Sequence, residues 1–523
     1  MSKPGSTRLF ELIKSLTASE KRYFKVMNET SHGKEGKKFI RLFELIDGMQ
    51  DYSESLLLKE KELVTPGQLS NLKANLYKKI LASLKQFNSH SNQDMVIREY
   101  ISYAQLLFDK SLYDQCEVMI KKALAEAKKI ENLELQLVAL KWEKRIISQT
   151  VKGDSRAKAK DIVEAVDDVN SRINNINRFT NIQLELYALY LKIGFIRNES
   201  DLKRVQKIFN NRIPQVYEEE LSLGEKSNLY SLYVDYFIFT QDFERAYEYA
   251  KKFVGLFSTK HLIEDNMETY IKALNSLMIC QNRLYKIREF NLTKRKLRGL
   301  QNRTSLDSNK NISLKLFKYI YVHEFNGLFM AGEFSKGVKL MSRITPRLEE
   351  YIVRLDSHSR LIMYYKIACL YVGASNFSQA LVWLNKILNT EHIDLREDIH
   401  GFARILSLIC HYELGHTDVI DYYIRSTYRF LLKKKNLQQY QKYILNFLKR
   451  LNTRLSENQL LERFEHLREQ LLPLEKMRFE KRAFIYFDII SWLESKLYHQ
   501  PVEEIIQQKG RLLLNPRVTS TKT

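Results

Sequence analysis

Few segments of this sequence could carry covalent or metal chemistry. AGEFSKG, residues 331–337, places two glycines, a serine and a lysine close together. A phosphate loop needs GxxxxGK[ST], whose backbone N–H groups cradle the phosphates while the lysine reaches them. That motif is absent, and this segment falls at the turn of a helical hairpin, so no phosphate site is expected. His411 and His416 are five apart, whereas two metal ligands on one helix face stand at i and i+4. Gly415 breaks the helical pattern between them. Neither HExxH nor a GxSxG nucleophile elbow occurs. YEEE, residues 217–220, follows Pro214 and reads as a solvated helix end. Cys116, Cys280, Cys369 and Cys410 form no CxxC pair, and each lies inside an apolar helical pattern. They read as buried small hydrophobes. The expectation is a chain that is not an enzyme and needs no cofactor or metal.

The remaining signal is electrostatic. With 84 Lys+Arg against 62 Asp+Glu the formal charge is +22. It is uneven: residues 283–318 hold 11 Lys or Arg against Glu289 and Asp307. TKRKLRGLQNR, residues 293–303, is the densest part, with Lys294, Arg295, Lys296, Arg298 and Arg303. Arg429 to Lys435, with Lys433, Lys434 and Lys435 consecutive, is a second tract. Such clusters can neutralise phosphates and steer association with nucleic acid. They equally suit solvated outer faces of helices. The aromatic residues do not add to the nucleic-acid case, because helical spacing directs most of them to a core.

The elements that position these residues are helices. The chain has 523 residues with only 7 Pro and 17 Gly, which disfavours turn-rich all-β folds. From Leu69 to Phe87 apolar residues fall at Leu69, Leu72, Leu76, Ile80, Leu84 and Phe87, one face of a helix opened by Thr65 and Pro66. No secretory signal or 18-residue apolar span is evident. A soluble, cytoplasmic, all-α protein without membrane insertion is expected.

A pattern recurs: an aromatic or apolar residue just after a helix turn, then a smaller residue three positions on. The pairs are Tyr113 and Cys116, Phe243 and Ala246, Phe334 and Gly337, Phe377 and Ala380, with Thr417 and Ile420 a weaker copy. Ala157, Leu202 and Tyr285 mark further weak copies, so that eight anchors lie 40 to 49 residues apart, ~43 on average. The small residue lets two antiparallel helices approach, and the aromatic plugs the gap between hairpins.

This turn signature resembles the tetratricopeptide repeat over roughly residues 97–460. Repeats of that family recur at about 34 residues, and the wider spacing here demands longer helices. The resemblance implies a divergent, bacterial tetratricopeptide-like protein: a right-handed α-solenoid of long antiparallel helical hairpins. The expected division is an N-terminal helical module over 1–95, a repeat array over 96–460, capping helices over 461–514 and a disordered tail over 515–523. Within the module, helices are predicted over Arg8–Ser15, Ala18–Asn28, Lys37–Met49 and Gly67–Phe87, with a loop over 30–36. A long helix is predicted from Leu474 to Tyr498.

The resemblance also implies a function: a non-catalytic scaffold that binds a protein or peptide along a concave face. Carried over from the family's groove positions, the contact residues are Asn228, Ser231 and Asp235, then Tyr319, Asn326 and Phe329, and Tyr365. Val322, Met330, Ile238, Phe239 and Ile362 fall at other such positions. An asparagine amide both donates and accepts, which suits clamping an extended backbone. The alternative is a nucleic-acid-associated regulator with the N-terminal helices as a DNA-binding head and the repeats as a peptide sensor. The fourth helix, with Lys73, Lys78, Lys79 and Lys85, would then enter the major groove.

Overall fold

The structure is a computed structural model that describes residues 7–31, 33–59, 66–89, 92–150, 155–302, 309–390, 395–433, 437–451, 456–480, 484 and 487–514. Thr65, Arg303, Lys434, Lys435 and the tail 515–523 lie outside the described residues. The chain is all-α, 85% helical, with no strand among the described residues. No helix among them is long and apolar enough to cross a membrane. Two compact units divide it, residues 1–173 and 174–523.

In the first unit, α1 (Arg8–Ser15), α2 (Ala18–Ser31), α3 (Gly33–Gly48), α4 (Glu54–Lys59) and α5 (Pro66–Asn88) share one core. Ile13, Phe24, Phe43, Leu76 and Ile80 lie at its centre. The loop predicted over 30–36 is helical on both sides of residue 32. Thr17 and Glu20 form the predicted capping box of α2. A separate core joins α6 (Gln93–Asp109), α7 (Tyr113–Lys129) and α8 (Leu133–Gln149). Next comes α9 (Ser155–Ile193), which carries the chain into the second unit.

The second unit continues with α10 (Glu199–Asn210), α11 (Leu223–Phe239), α12 (Phe243–Gly255), the short α13 (Lys260–Asp265), α14 (Met267–Arg283) and α15 (Ile287–Gly299). Then come α16 (Lys310–Ala331), α17 (Phe334–Arg354), α18 (Ser357–Gly373), α19 (Phe377–Leu388), α20 (Glu397–Glu413) and α21 (Thr417–Lys433). The chain closes with α22 (Gln439–Arg450), α23 (Glu457–Lys476), α24 (Ile489–Leu497) and α25 (Val502–Leu514). Helices adjacent in sequence pack on one another through most of this series. The single helix predicted from Leu474 to Tyr498 is instead the end of α23 and the whole of α24. Met477 is extended, and Asp488 caps a new helix through Ser491 N–H at 2.9 Å. Its side chain satisfies a helix-start donor there.

One turn geometry joins the hairpins. At Ser111, Glu131, Gln241, Tyr285, Gly332, Ser375 and Gly415 the backbone is left-handed, and the next helix begins two residues later. At Gln241 its N–H donates to Ile238 O, and Asp242 N–H donates to Phe237 O. The same pair of bonds recurs at the other six. This closing motif uses carbonyls that the helix end would otherwise leave unpaired. The new helix then packs its fourth residue inward: Cys116, Ala246, Gly337 and Ala380 are all buried.

Residues 190–197 at the end of α9 meet the start of α20, about 200 positions on in sequence. Arg396 N–H donates to Leu191 O at 2.7 Å. The Arg396 guanidinium makes two hydrogen bonds of 2.8 Å to Asp398, and both residues are buried. Gly194 leaves the space that Asp398 occupies: a Cβ there would overlap the carboxylate.

Candidate functional site

The second unit carries a row of polar side chains set between helices that are otherwise apolar where they meet. On α9, Gln183 donates to Ser231 Oγ at 2.9 Å and also to Asp235, both on α11. On α14, Asn275 Oδ1 lies 3.0 Å from His323 Nε2 on α16. One turn along α16, the Asn326 amide meets His323 Nδ1 at 3.3 Å and accepts from Lys366 of α18 at 2.5 Å. Lys318 donates to Ser359 at 3.2 Å, again joining α16 to α18. Asp235, Lys272, Asn275, Tyr319 and Lys366 remain partly open to solvent while protein surrounds them on most sides. These half-buried polar groups make up one polar face of the second unit.

Burial sets the electrostatics of this face. It pushes the Lys366 amine down to about 7, assisted by the Arg283 charge and opposed by Cys369. It holds His323 neutral, down to about 3, with Lys366 and Lys294 adding to the effect. The Asp235 carboxyl is raised by burial, against the pull of Lys272 and the Gln183 amide. Tyr319 is pushed up to about 12 by burial, with Asp235 next. His358, beside Arg396, is lowered to about 3 by burial and that charge. The face therefore offers neutral imidazoles, amides and a weakly basic amine, groups suited to hydrogen bonding rather than to strong ion pairing.

The structure brings four of the sequence-derived contact residues onto this face: Ser231, Asp235, Tyr319 and Asn326. Three are not among its hydrogen-bonded members. Asn228 turns back on its own helix and donates to Gly224 O at 2.9 Å. Tyr365 is buried in the apolar core. Phe329 packs against Phe334, with the Lys366 amine 5.5 Å above its ring. Gln183, Lys272, Asn275, His323 and Lys366 are the members that sequence reasoning missed. Lys366 and His323 interrupt apolar runs, MYYKIACLYV and FKYIYVHEFNGLF, and that interruption is the readable signal.

The basic run resolves into two roles. Lys294 and Arg298 converge on Glu324 at 3.6 and 2.9 Å. Arg295 and Lys296 point to solvent. In the first unit, Lys73 reaches Glu54 and Tyr52 at 3.0 Å, and Lys79 lies 4.9 Å over the Phe39 ring. Lys78 and Lys85 are exposed.

The other candidate segments take structural roles. AGEFSKG forms the turn between α16 and α17, as its placement in the sequence implied. Glu218 of YEEE accepts from Tyr230 at 2.9 Å and Lys252 at 3.0 Å. All four cysteines are buried. Burial pushes the Cys280 and Cys369 thiols up to about 12, far from a reactive thiolate. His411 and His416, although five apart, meet at 3.0 Å between their Nδ1 atoms because the turn at Gly415 folds one back on the other. No group of three or more His, Cys, Asp or Glu positioned for a metal occurs among the described residues. No protein-family model matches the chain, and no curated protein matches it in sequence.

Proposed function

We propose that this protein is a non-catalytic, cytoplasmic scaffold that holds an extended protein segment or peptide along the polar face of its second unit. The hairpins there form a divergent tetratricopeptide-like right-handed solenoid, whose inner helices supply that face. One observation supports the reading most. Side chains on alternate helices are linked, Gln183 to Asp235, Asn275 to His323, and Asn326 to Lys366. The half-buried amides of Gln183 and Asn275 can exchange an intramolecular partner for a peptide N–H or C=O at little net cost. Burial along the face raises the strength of each bond so formed.

Peptide display against the full chain tests the reading. Selected peptides should bind the wild type and lose about tenfold or more against Asn275→Ala or Asn326→Ala, since each removes a polar partner from a desolvated site. Both variants should keep the wild-type melting curve to within a few degrees. Peptides that bind all three proteins equally would place the contact elsewhere, and selection of none would remove the scaffold reading.

A further inference from the structure

Most aromatic residues of this chain are in its cores, but the α20–α21 hairpin is an exception. Tyr422 is 60% exposed and Tyr423 39%. Their rings stand edge to face at 5.6 Å. Tyr423 stacks on His411 with centroids 4.7 Å apart and planes within 13°. His411 in turn faces His416 at 5.3 Å. Four rings from two helices and their turn thus form one continuous cluster at the surface.

The same helix carries a row of cations. Tyr422, Arg425, Arg429 and Lys433 stand at i, i+3, i+7 and i+11 of α21, and all are exposed. Residues at that spacing share one helix face. None of the three cations is held in an ion pair with a described residue. At about 1.5 Å per residue the row runs roughly 16 Å from the ring cluster. Buried or paired cations, such as Lys294 and Arg298 on Glu324, lack this freedom.

We infer that the outer face of α21 is a binding surface for single-stranded nucleic acid: Tyr422 and the Tyr423–His411 stack receive unstacked bases, and Arg425, Arg429 and Lys433 track the phosphates. Aromatic platforms beside a basic track bind single strands with little sequence preference, because every base presents a π face. A duplex keeps its bases stacked and cannot use the rings. An acidic protein would use the cations but would gain little from the tyrosine and histidine faces. This surface lies outside the polar face described above, so either could fail without the other.

Anisotropy titrations of the full chain with fluorescein-labelled oligo-dT and oligo-rU of about 12 nucleotides, and with a duplex of the same length, test this at neutral pH. Both single strands should bind more tightly than the duplex. Tyr422→Ala with Tyr423→Ala should weaken the single strands about tenfold or more, as loss of base stacking does. Changing Arg425, Arg429 and Lys433 to Gln should flatten the log–log salt dependence by about 2, or roughly 0.7 for each phosphate that is no longer neutralised. These residues are at the surface, and unchanged circular dichroism melts confirm that the variants are folded. The proposal is overturned by duplex binding as tight as single-strand binding, by an unchanged affinity of the tyrosine variant, or by no binding at about 50 mM salt. A glutamate oligomer of equal length that binds as tightly as the oligonucleotides would assign the face to acidic proteins instead.

Discussion

The ring of Phe334, the first residue of α17, occupies the place where a side chain on Gly373, the last residue of α18, would lie. The relation is repeated one turn on, where a Cβ at Gly337 would overlap Leu370. The two helices therefore meet at a distance set by missing side chains. Gly373→Ala should overpack this contact and cost about 1–3 kcal/mol, and Ala380→Leu, at a buried position of α19, a similar amount. Phe334→Ala should cost about 3–5 kcal/mol. Phe377 opens α19 in the equivalent way but is only half-buried, so Phe377→Ala should cost less. Urea denaturation of the four variants gives the order, and equal losses at Phe334 and Phe377 would contradict it.

Arg396 and Asp398 are a buried ion pair, 2% exposed each. Removing one partner takes from the other its paired counter-charge in a poor solvent. Asp398→Ala should therefore cost about 3–5 kcal/mol. Replacing both residues by apolar ones of similar volume should recover much of that loss. A single variant as mild as a surface substitution in equilibrium unfolding would show that water reaches the pair.

Lys366 makes stability depend on pH in a stated direction. Its folded value is about 7 against an ordinary 10.5. Between those values the unfolded chain binds a proton there that the folded chain does not. Raising the pH across that window therefore stabilises the fold, and the full cost of the buried charge is felt below pH 7. Lys366→Met cannot titrate, so its advantage over wild type should be largest near pH 6 and shrink toward pH 10. Thermal melts of both proteins across that range measure the gap. A gap that stays constant with pH would show that the amine is not desolvated.

His323 and His358 act at lower pH, with folded values of about 3 each against an ordinary 6.5. Unfolding lets both take up protons below pH 6.5, so their contribution is present above that value and fades as the pH falls toward 3. Substituting both by Gln should flatten the acid limb of the stability curve. An acid limb unchanged in the double variant would assign acid unfolding to other groups.

The basic run separates into residues that hold the fold and residues that do not. Glu324 Oε2 is buried and receives the charges of Lys294 and Arg298 without a hydrogen bond from any described residue. Reversing both to Glu should cost about 1–3 kcal/mol by leaving that carboxylate unpaired. Arg295→Glu with Lys296→Glu should stay within about 0.5 kcal/mol of wild type. Chemical denaturation compares the two pairs, and equal effects would mean that Glu324 is solvated.

The helices were legible because apolar residues at steps of 3 and 4 persist through nearly every segment. Leu69, Leu76 and Ile80, singled out by spacing, are all in the core. The turns were only half legible. Gly332 and Gly415 announce a left-handed turn, but Ser111, Gln241, Tyr285 and Ser375 adopt the same conformation with residues that give no such signal. The break before Ile489 depends on an Asp488 cap inside an apolar run, and periodicity cannot see it. The polar face was partly legible: Asp235 and Asn326 lie on it, while Lys366 lies next to the Tyr365 position carried over from the repeat family. One residue along a helix is about 100° of rotation, enough to exchange a half-buried polar face for a core.

The junction of Leu191 with Arg396 restricts how this protein can have evolved. A row of hairpins in which each contacts only its neighbours can gain or lose a copy by duplication, because the ends are free. Here the end of α9 is bonded to the start of α20, and Arg396, Asp398 and Gly194 fit together in one arrangement. An added or deleted hairpin between them would displace one side of that junction by a full repeat. A change in the number of hairpins between α9 and α20 would have to rebuild that junction, whereas substitution within them need not.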